Sequence, residues 1–219
     1  MKTIIFANGE LCSPDLGLKF EPAELLIAAD GGYRHFKTLS RLPDVLIGDL
    51  DSTPESIQED WEKQGVRIIR YPEDKDQTDL ELALLYAEKR GADQILIYGA
   101  VGGRLDMTLA NLLLLAHPEL SADLTFICGD QEVKLIRPGQ TLIIQGEPED
   151  RVSLIPLGPE TSGISTKNLR YPLEQGELTF GLTRGISNVM DADRAEIELE
   201  EGLLALIHTH TNSKEDDHE

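Results

Sequence analysis

The chain has 219 residues, enough for one large domain or two small ones, each with a core of its own. Lys and Arg number 20 against 40 Asp and Glu, a formal net charge of −20. That balance excludes nucleic acid and anionic membranes as main partners, because both demand concentrated cations; a phosphate ligand stays admissible where a metal ion and a few local Arg or Lys residues offset the field.

Part of the acid lies in a polar tail, where Glu215, Asp216, Asp217 and Glu219 mark residues 212–219 as an expected disordered end. The two cysteines, Cys12 and Cys128, have no metal-ligand spacing and fit reduced, partly buried thiols of a cytoplasmic protein. Met1-Lys2 runs straight into an apolar run too short for a signal-peptide core, and the stretch Leu109 to Ala116 is too short to span a bilayer.

Along the first 130 residues, short apolar runs alternate with helical patterns. Strands are expected at Thr3–Ala7, Leu25–Ala29, Val45–Ile47, Arg67–Arg70, Gln94–Tyr98 and Leu124–Cys128. Leu80–Arg90 is the clearest helix: Leu80, Ala83, Leu84 and Ala87 share a face, Lys89 and Arg90 fill the last turn, and Gly91 stops it. Another helix starts near Leu105, and Trp61 is expected to pack a helix against the sheet. The alternation predicts an α/β domain, a mostly parallel sheet with flanking helices, over residues 1–130.

Beyond Asp130 the pattern changes to strands at Val133–Ile136, Thr141–Gln145, Arg151–Leu157, Glu177–Leu182, Ala195–Leu199 and Leu203–His208, parted by turns such as Pro138-Gly139 and Glu201-Gly202. Residues 131–211 therefore read as a small antiparallel sandwich or barrel, with a β-sandwich the expected form. His208 and His210 fall near its frayed end and carry no expected metal role.

Three acidic clusters stand where apolar runs stop: Gly48-Asp49-Leu50-Asp51-Ser52, Lys75-Asp76-Gln77-Thr78-Asp79 and Gly102-Gly103-Arg104-Leu105-Asp106. Asp30-Gly31-Gly32 marks a fourth strand end. Ligands of doubly wound sheets bind at the carboxyl ends of strands. Crowded carboxylates there need a cation, and Mg²⁺ is the hard ion that bridges carboxylates to phosphates. Asp49 and Asp51 can share one ion, whereas a helix cap at Asp51-Ser52 before Pro54 leaves Asp49 unexplained. Thr78 and Glu81 also match a capping box, so ligation and capping both stay open for that cluster. Gly102 and Gly103 let backbone N–H groups approach an anion at a helix start, and Arg104 can fork onto phosphate oxygens. Arg184-Gly185-Ile186-Ser187-Asn188 reads from spacing alone as a loop between strands.

Taken in order, these segments resemble the thiamin pyrophosphokinase family over nearly the whole chain: Ala28-Ala29-Asp30-Gly31-Gly32, Gly48-Asp49-Leu50-Asp51-Ser52, Lys75-Asp76, Thr78-Asp79-Leu80-Glu81, Gly99 to Asp106, and Gly185-Ile186-Ser187-Asn188. The resemblance implies an α/β catalytic domain followed by a β-sandwich that binds thiamine and dimerises. It also implies pyrophosphoryl transfer from ATP to the thiamine hydroxyl, giving thiamine diphosphate and AMP. By the same carry-over Asp49, Asp51, Asp79 and Asp106 hold Mg²⁺ and, with Arg104, form the catalytic set. ATP is met by Asp30, Gly31, Lys75, Asp76, Thr78, Gly102, Gly103 and Arg104, and thiamine by Ser187 and Asn188, in a site the family builds between two subunits of a cytoplasmic homodimer. Met107 departs from the pattern, since many relatives carry His there. Two other readings stand beside this one: pyrophosphoryl transfer to another alcohol, such as a hydroxymethylpterin, and a non-catalytic thiamine- or nucleotide-binding module.

Overall fold

The computed structural model describes residues 1–11 and 23–211; Cys12 and the expected disordered tail lie outside the described residues. The chain divides into two compact units, Met1–Gly129 and Asp130–Glu219.

In the first unit the strands are β1 (Lys2–Phe6), β2 (Leu25–Ala29), β3 (Val45–Gly48), β4 (Arg67–Arg70), β5 (Gln94–Tyr98) and β6 (Asp123–Cys128). They lie in the order β6-β5-β1-β2-β3-β4, and every pairing is parallel. Chain order thus reverses between β1 and β5. The central strands are apolar on both faces because helices cover both: Ile4, Ile5, Phe6, Ile27, Leu46, Ile47, Ile95 and Ile97 are all buried.

The helices are α1 (Tyr33–Thr38), α2 (Glu55–Lys63), α3 (Asp79–Lys89) and α4 (Leu105–Leu113). Trp61 of α2 is buried and meets Phe36 edge-on, with centroids 6.3 Å apart. Thr78 caps α3, its hydroxyl accepting from Glu81 N at 3.2 Å, and Leu80, Leu82, Ala83, Leu84 and Ala87 bury the helix. No side chain caps α2: Pro54 holds the cap position, and Ser52 donates to Asp51 Oδ1 at 2.9 Å instead. The cap alternative for Asp51-Ser52 is therefore not realised. Along α4, Leu105, Leu109 and Leu113, four residues apart, form an exposed apolar stripe.

The second unit is two antiparallel sheets, and no helix occurs among its described residues. One sheet runs β11-β9-β13-β7, with β7 (Gln131–Ile136), β9 (Arg151–Pro156), β11 (Asn188–Val189) and β13 (Leu204–Thr209). The other runs β10-β12-β8, with β8 (Thr141–Gln145), β10 (Ser165–Lys167) and β12 (Arg194–Glu198). Inward residues of the first sheet, Ile136, Val152, Leu154, Leu204 and Leu206, pack with Ile144, Ala195 and Ile197 of the second. One expected strand fails. Glu177–Leu182 is turn and coil, because Leu178 is buried while Phe180 and Leu182, which alternation would place on the same face, are exposed.

Candidate active site

Two strand ends and one helix start deliver the acids of the first unit. Asp30 follows β2 directly and Asp49 follows β3, while Asp79 opens α3. One carboxylate oxygen from each of Asp30, Asp49 and Asp79 lies within 4.8 Å of the other two. Gly48 makes this approach possible. At φ +149° it has no side chain, and a Cβ there would come within 2.9 Å of both Asp30 Cβ and Asp79 Oδ1.

Lys75 supplies the compensating charge. Its Nζ lies 2.5 Å from Asp49 Oδ2 and 3.0 Å from Asp79 Oδ1. The Lys75 hydrogen bond holds the Asp49 carboxyl below its ordinary range. Burial alone would lower the Lys75 ammonium, but the bonds from Asp49 and Asp79 outweigh it and raise the group. Asp30 behaves oppositely: burial pushes its carboxyl up, despite a Thr53 hydroxyl donating to its Oδ1 at 3.1 Å. Asp79 Oδ1 also accepts from Asp49 N at 3.3 Å, tying the two loops together.

Beside the triad, a cavity of about 350 Å³ opens where strand order reverses between β1 and β5, the place where doubly wound sheets bind ligands. Asn8 and Gly9 after β1, Gly99, Ala100, Gly102 and Gly103 after β5, and Arg34, Asp79, Arg104 and Asn111 line it. Gly9 N donates to Gly99 O at 2.6 Å and holds the two strand ends together. Gly31 leaves room for Asn8, whose Oδ1 would lie 2.1 Å from a Cβ at that position. Arg34 then donates to Asn8 Oδ1 at 2.5 Å and to Asn8 O at 2.9 Å. Asn111 donates to Ala100 O at 2.8 Å, and among the described residues its buried Oδ1 meets no hydrogen-bond partner.

The expected residues are distributed unevenly over this geometry. Asp49, Asp79, Lys75 and Asp30 converge, while Asp51 and Asp106 are not part of the triad. Asp51 is exposed and bonded to Ser52, and Asp106 pairs with Arg104 at 2.5 Å, both largely exposed at the start of α4. Asp76 is exposed, and Thr78 is taken up as the α3 cap. Gly31 supports Asn8, and Gly102 and Gly103 line the cavity beside Met107. Asn8, Arg34 and Asn111 escaped the sequence reading. The one available signal was Asn8-Gly9 standing at the carboxyl end of a strand.

In the second unit, Leu154, Tyr171, Pro172, Arg184, Ile186 and Asn188 line part of a cavity of about 240 Å³. Asn188 fixes its wall: Oδ1 accepts from Tyr171 N at 3.0 Å, and Nδ2 donates to Tyr171 O at 2.8 Å. Ser187 takes a left-handed φ of +60°, and its N–H donates to Ser153 Oγ at 3.1 Å.

Comparison with known proteins agrees across both units. Residues 17–128 match the family model for the thiamin pyrophosphokinase catalytic domain, and residues 140–204 match that for its vitamin B1 binding domain. The chain is similar to thiamine pyrophosphokinase of Bacillus subtilis (strain 168), 31% identical over 210 residues, covering 94% of this chain and 98% of that protein. It is 28% identical to thiamine pyrophosphokinase 1 of Arabidopsis thaliana, covering 85% of this chain and 79% of that one. The crystal structure of the thiamine pyrophosphokinase from Bacillus subtilis superposes with a TM-score of 0.84 at 28% identity, covering 96% of this chain and all of that one. No described helix is long and apolar enough to cross a membrane. With two family models matched in order and one relative aligned almost end to end, this chain belongs to the thiamin pyrophosphokinase family.

Proposed function

We propose that this protein transfers the pyrophosphoryl group of ATP to the hydroxyl of thiamine in a Mg²⁺-dependent reaction that releases AMP. The observation that carries this reading is the convergence of Asp30, Asp49 and Asp79 on Lys75, beside a glycine-lined cavity that Asp79 also borders. Hard carboxylate oxygens are the donors Mg²⁺ prefers, and Lys75 shows that the cluster demands positive charge. Asp49 and Asp79 would hold the ion, and Asp51 and Asp106 complete the carboxylate set carried over from the family pattern. When bound, Mg²⁺ supplies neutralisation of the triphosphate and of the AMP leaving group.

The chain's own residues do the positioning. Arg34, Lys75 and Arg104 meet phosphate oxygens, with Arg104 released from Asp106 as the phosphates arrive. Asp76, Thr78 and the backbone of Gly31, Gly102 and Gly103 frame the nucleotide. Asn111 Oδ1 takes a donor from it, which would satisfy a buried acceptor left open in the protein alone. Ser187 and Asn188 hold thiamine in the cavity of the second unit, with Asn188 keeping Tyr171 in place as its wall. No covalent nucleophile is required, because the substrate alcohol attacks the β-phosphorus once held in line.

The working form is a cytoplasmic homodimer with each site made by two subunits. Support comes from the exposed stripe Leu105, Leu109 and Leu113 in the first unit and from exposed Tyr171, Phe180 and Leu182 in the second. The test is AMP release from ATP and Mg²⁺ with thiamine or hydroxymethylpterin as acceptor, alongside sedimentation for mass. We expect AMP with thiamine alone, from a dimer. AMP with the pterin alone would reassign the acceptor, and thiamine binding without AMP would leave a binding module.

A further inference from the structure

Alternate residues of a strand share a face, and on β13 that face carries Leu204 and Leu206 into the sandwich core. The same face continues to two imidazoles, His208 within the strand and His210 just past it. His208 is only 2% exposed, so the frayed end expected from sequence is instead a built polar cluster. The two rings lie 4.1 Å apart between centroids.

Against them stands Asp150, also nearly fully buried. Its Oδ1 accepts from Thr211 N at 2.8 Å and Thr211 Oγ1 at 3.0 Å, and its Oδ2 accepts from Glu147 N at 3.0 Å. These bonds fix the carboxylate so that Oδ2 faces His208 Nε2 at 3.0 Å and His210 Nδ1 at 3.4 Å. One ligating atom from each of the three residues lies within 4.8 Å of the others. Glu132 sits opposite His208 across β7, with its Oε1 4.0 Å from His210 Nε2.

We propose that Asp150 Oδ2, His208 Nε2 and His210 Nδ1 form a binding site for a divalent first-row transition cation, with Zn²⁺ the best fit, that ties the end of β13 to the turn before β9. Two imidazoles and one carboxylate form a donor set that suits Zn²⁺ and not Mg²⁺. Tetrahedral bonds of about 2.0–2.2 Å place neighbouring donors roughly 3.3–3.6 Å apart, and His208 Nε2 and His210 Nδ1 stand 3.0 and 3.4 Å from Asp150 Oδ2. Glu132 Oε1 lies 4.0 Å from the far nitrogen of His210, on the side where a carboxylate can assist a metal-bound imidazole. His210 is 40% exposed and gives an ion its way in. A simple buried Asp–His pair would account for Asp150 and His208 but not for a second imidazole, tilted against the first, that turns its Nδ1 to within 3.4 Å of the same carboxylate oxygen. The site lies wholly within the second unit and is independent of the proposed reaction.

The test uses the full chain, free of any histidine tag and stripped with chelator. Zn²⁺ in about hundredfold excess over its dissociation constant is expected to raise the melting midpoint by about 5 °C or more, and Mg²⁺ is expected to leave it in place. Co²⁺ is expected to give visible bands of a tetrahedral nitrogen–oxygen site. His210→Ala should lose both responses and Asp49→Asn should keep both, which separates this site from the acidic triad. An unmoved midpoint with Zn²⁺ together with a featureless Co²⁺ spectrum, or a full response in folded His210→Ala, overturns the proposal. Because the Co²⁺ spectrum is read on the unmutated chain, the proposal stays testable even where the variant fails to fold.

Discussion

Gly48→Ala is the sharpest probe of how the acidic cluster is assembled. The new methyl would stand 2.9 Å from Asp79 Oδ1 and 2.9 Å from Asp30 Cβ, where ordinary contact begins at 3.4 Å, so each contact must open by about 0.5 Å. Asp79 Oδ1 holds Asp49 N at 3.3 Å, already a long bond, and a retreat of that size breaks it. Overpacking costs about 1–3 kcal/mol, and a side chain at φ +149° adds about 1 kcal/mol of backbone strain. The sum, about 2–4 kcal/mol, corresponds to roughly 4–16 °C of melting midpoint for a chain of this size. Turnover should fall further than stability explains, since displacing a positioning group by a fraction of an ångström costs up to about 100-fold. Calorimetry gives the first figure and AMP release at saturating ATP and thiamine the second. A variant that melts within 1 °C of the parent and turns over at its rate would refute this account of Gly48.

Lys75→Met removes the cation from a carboxylate triad and should cost about 1–3 kcal/mol at low Mg²⁺, with added Mg²⁺ restoring much of the midpoint. Arg34→Met should raise KM for ATP about tenfold or more with a smaller change in kcat, read from initial rates, because Arg34, held by Asn8, lines the cavity apart from the acidic triad. Glu88 offers a pH test: partial burial pushes its carboxyl up, but bonds from the Ser121 hydroxyl and Ala122 N pull it below the usual glutamate range. Its contribution is therefore present above the unfolded value near 4.5 and lost as pH falls through the lower folded value. Glu88→Gln should cost about 1 kcal/mol at pH 7, and urea titrations should show the difference vanishing in acid.

Much of the fold was legible because local pattern and tertiary role agree. Leu25–Ala29, Arg67–Arg70 and Gln94–Tyr98 are bounded strands in the sequence and in the structure, and Thr78 caps the helix that its spacing to Glu81 announces. Glu177–Leu182 misled because its apolar residues alternate without sharing an environment, Leu178 inside and Phe180 and Leu182 outside. The short strands β10 and β11 carry too few residues for a period to register. In the site, carboxylates at strand ends were visible because topology sends those ends to one edge. Arg34 was not, since its partner Asn8 is 26 residues away and nothing local distinguishes an arginine in a helix. His208 and His210 lie in a stretch whose local pattern carries no metal-ligand signal, yet cross-strand pairing buries the first and sets Asp150 against both.

The central claim is that carboxylates from separate loops share one divalent ion with the nucleotide. Electron paramagnetic resonance of Mn²⁺, standing in for Mg²⁺, measures that directly when the chain is titrated with a non-hydrolysable ATP analogue. The account predicts that the unmutated chain binds Mn²⁺ tightly only with the analogue present, and that Asp49→Asn and Asp79→Asn each weaken it at least tenfold while remaining folded. Undiminished Mn²⁺ affinity in both variants would contradict it.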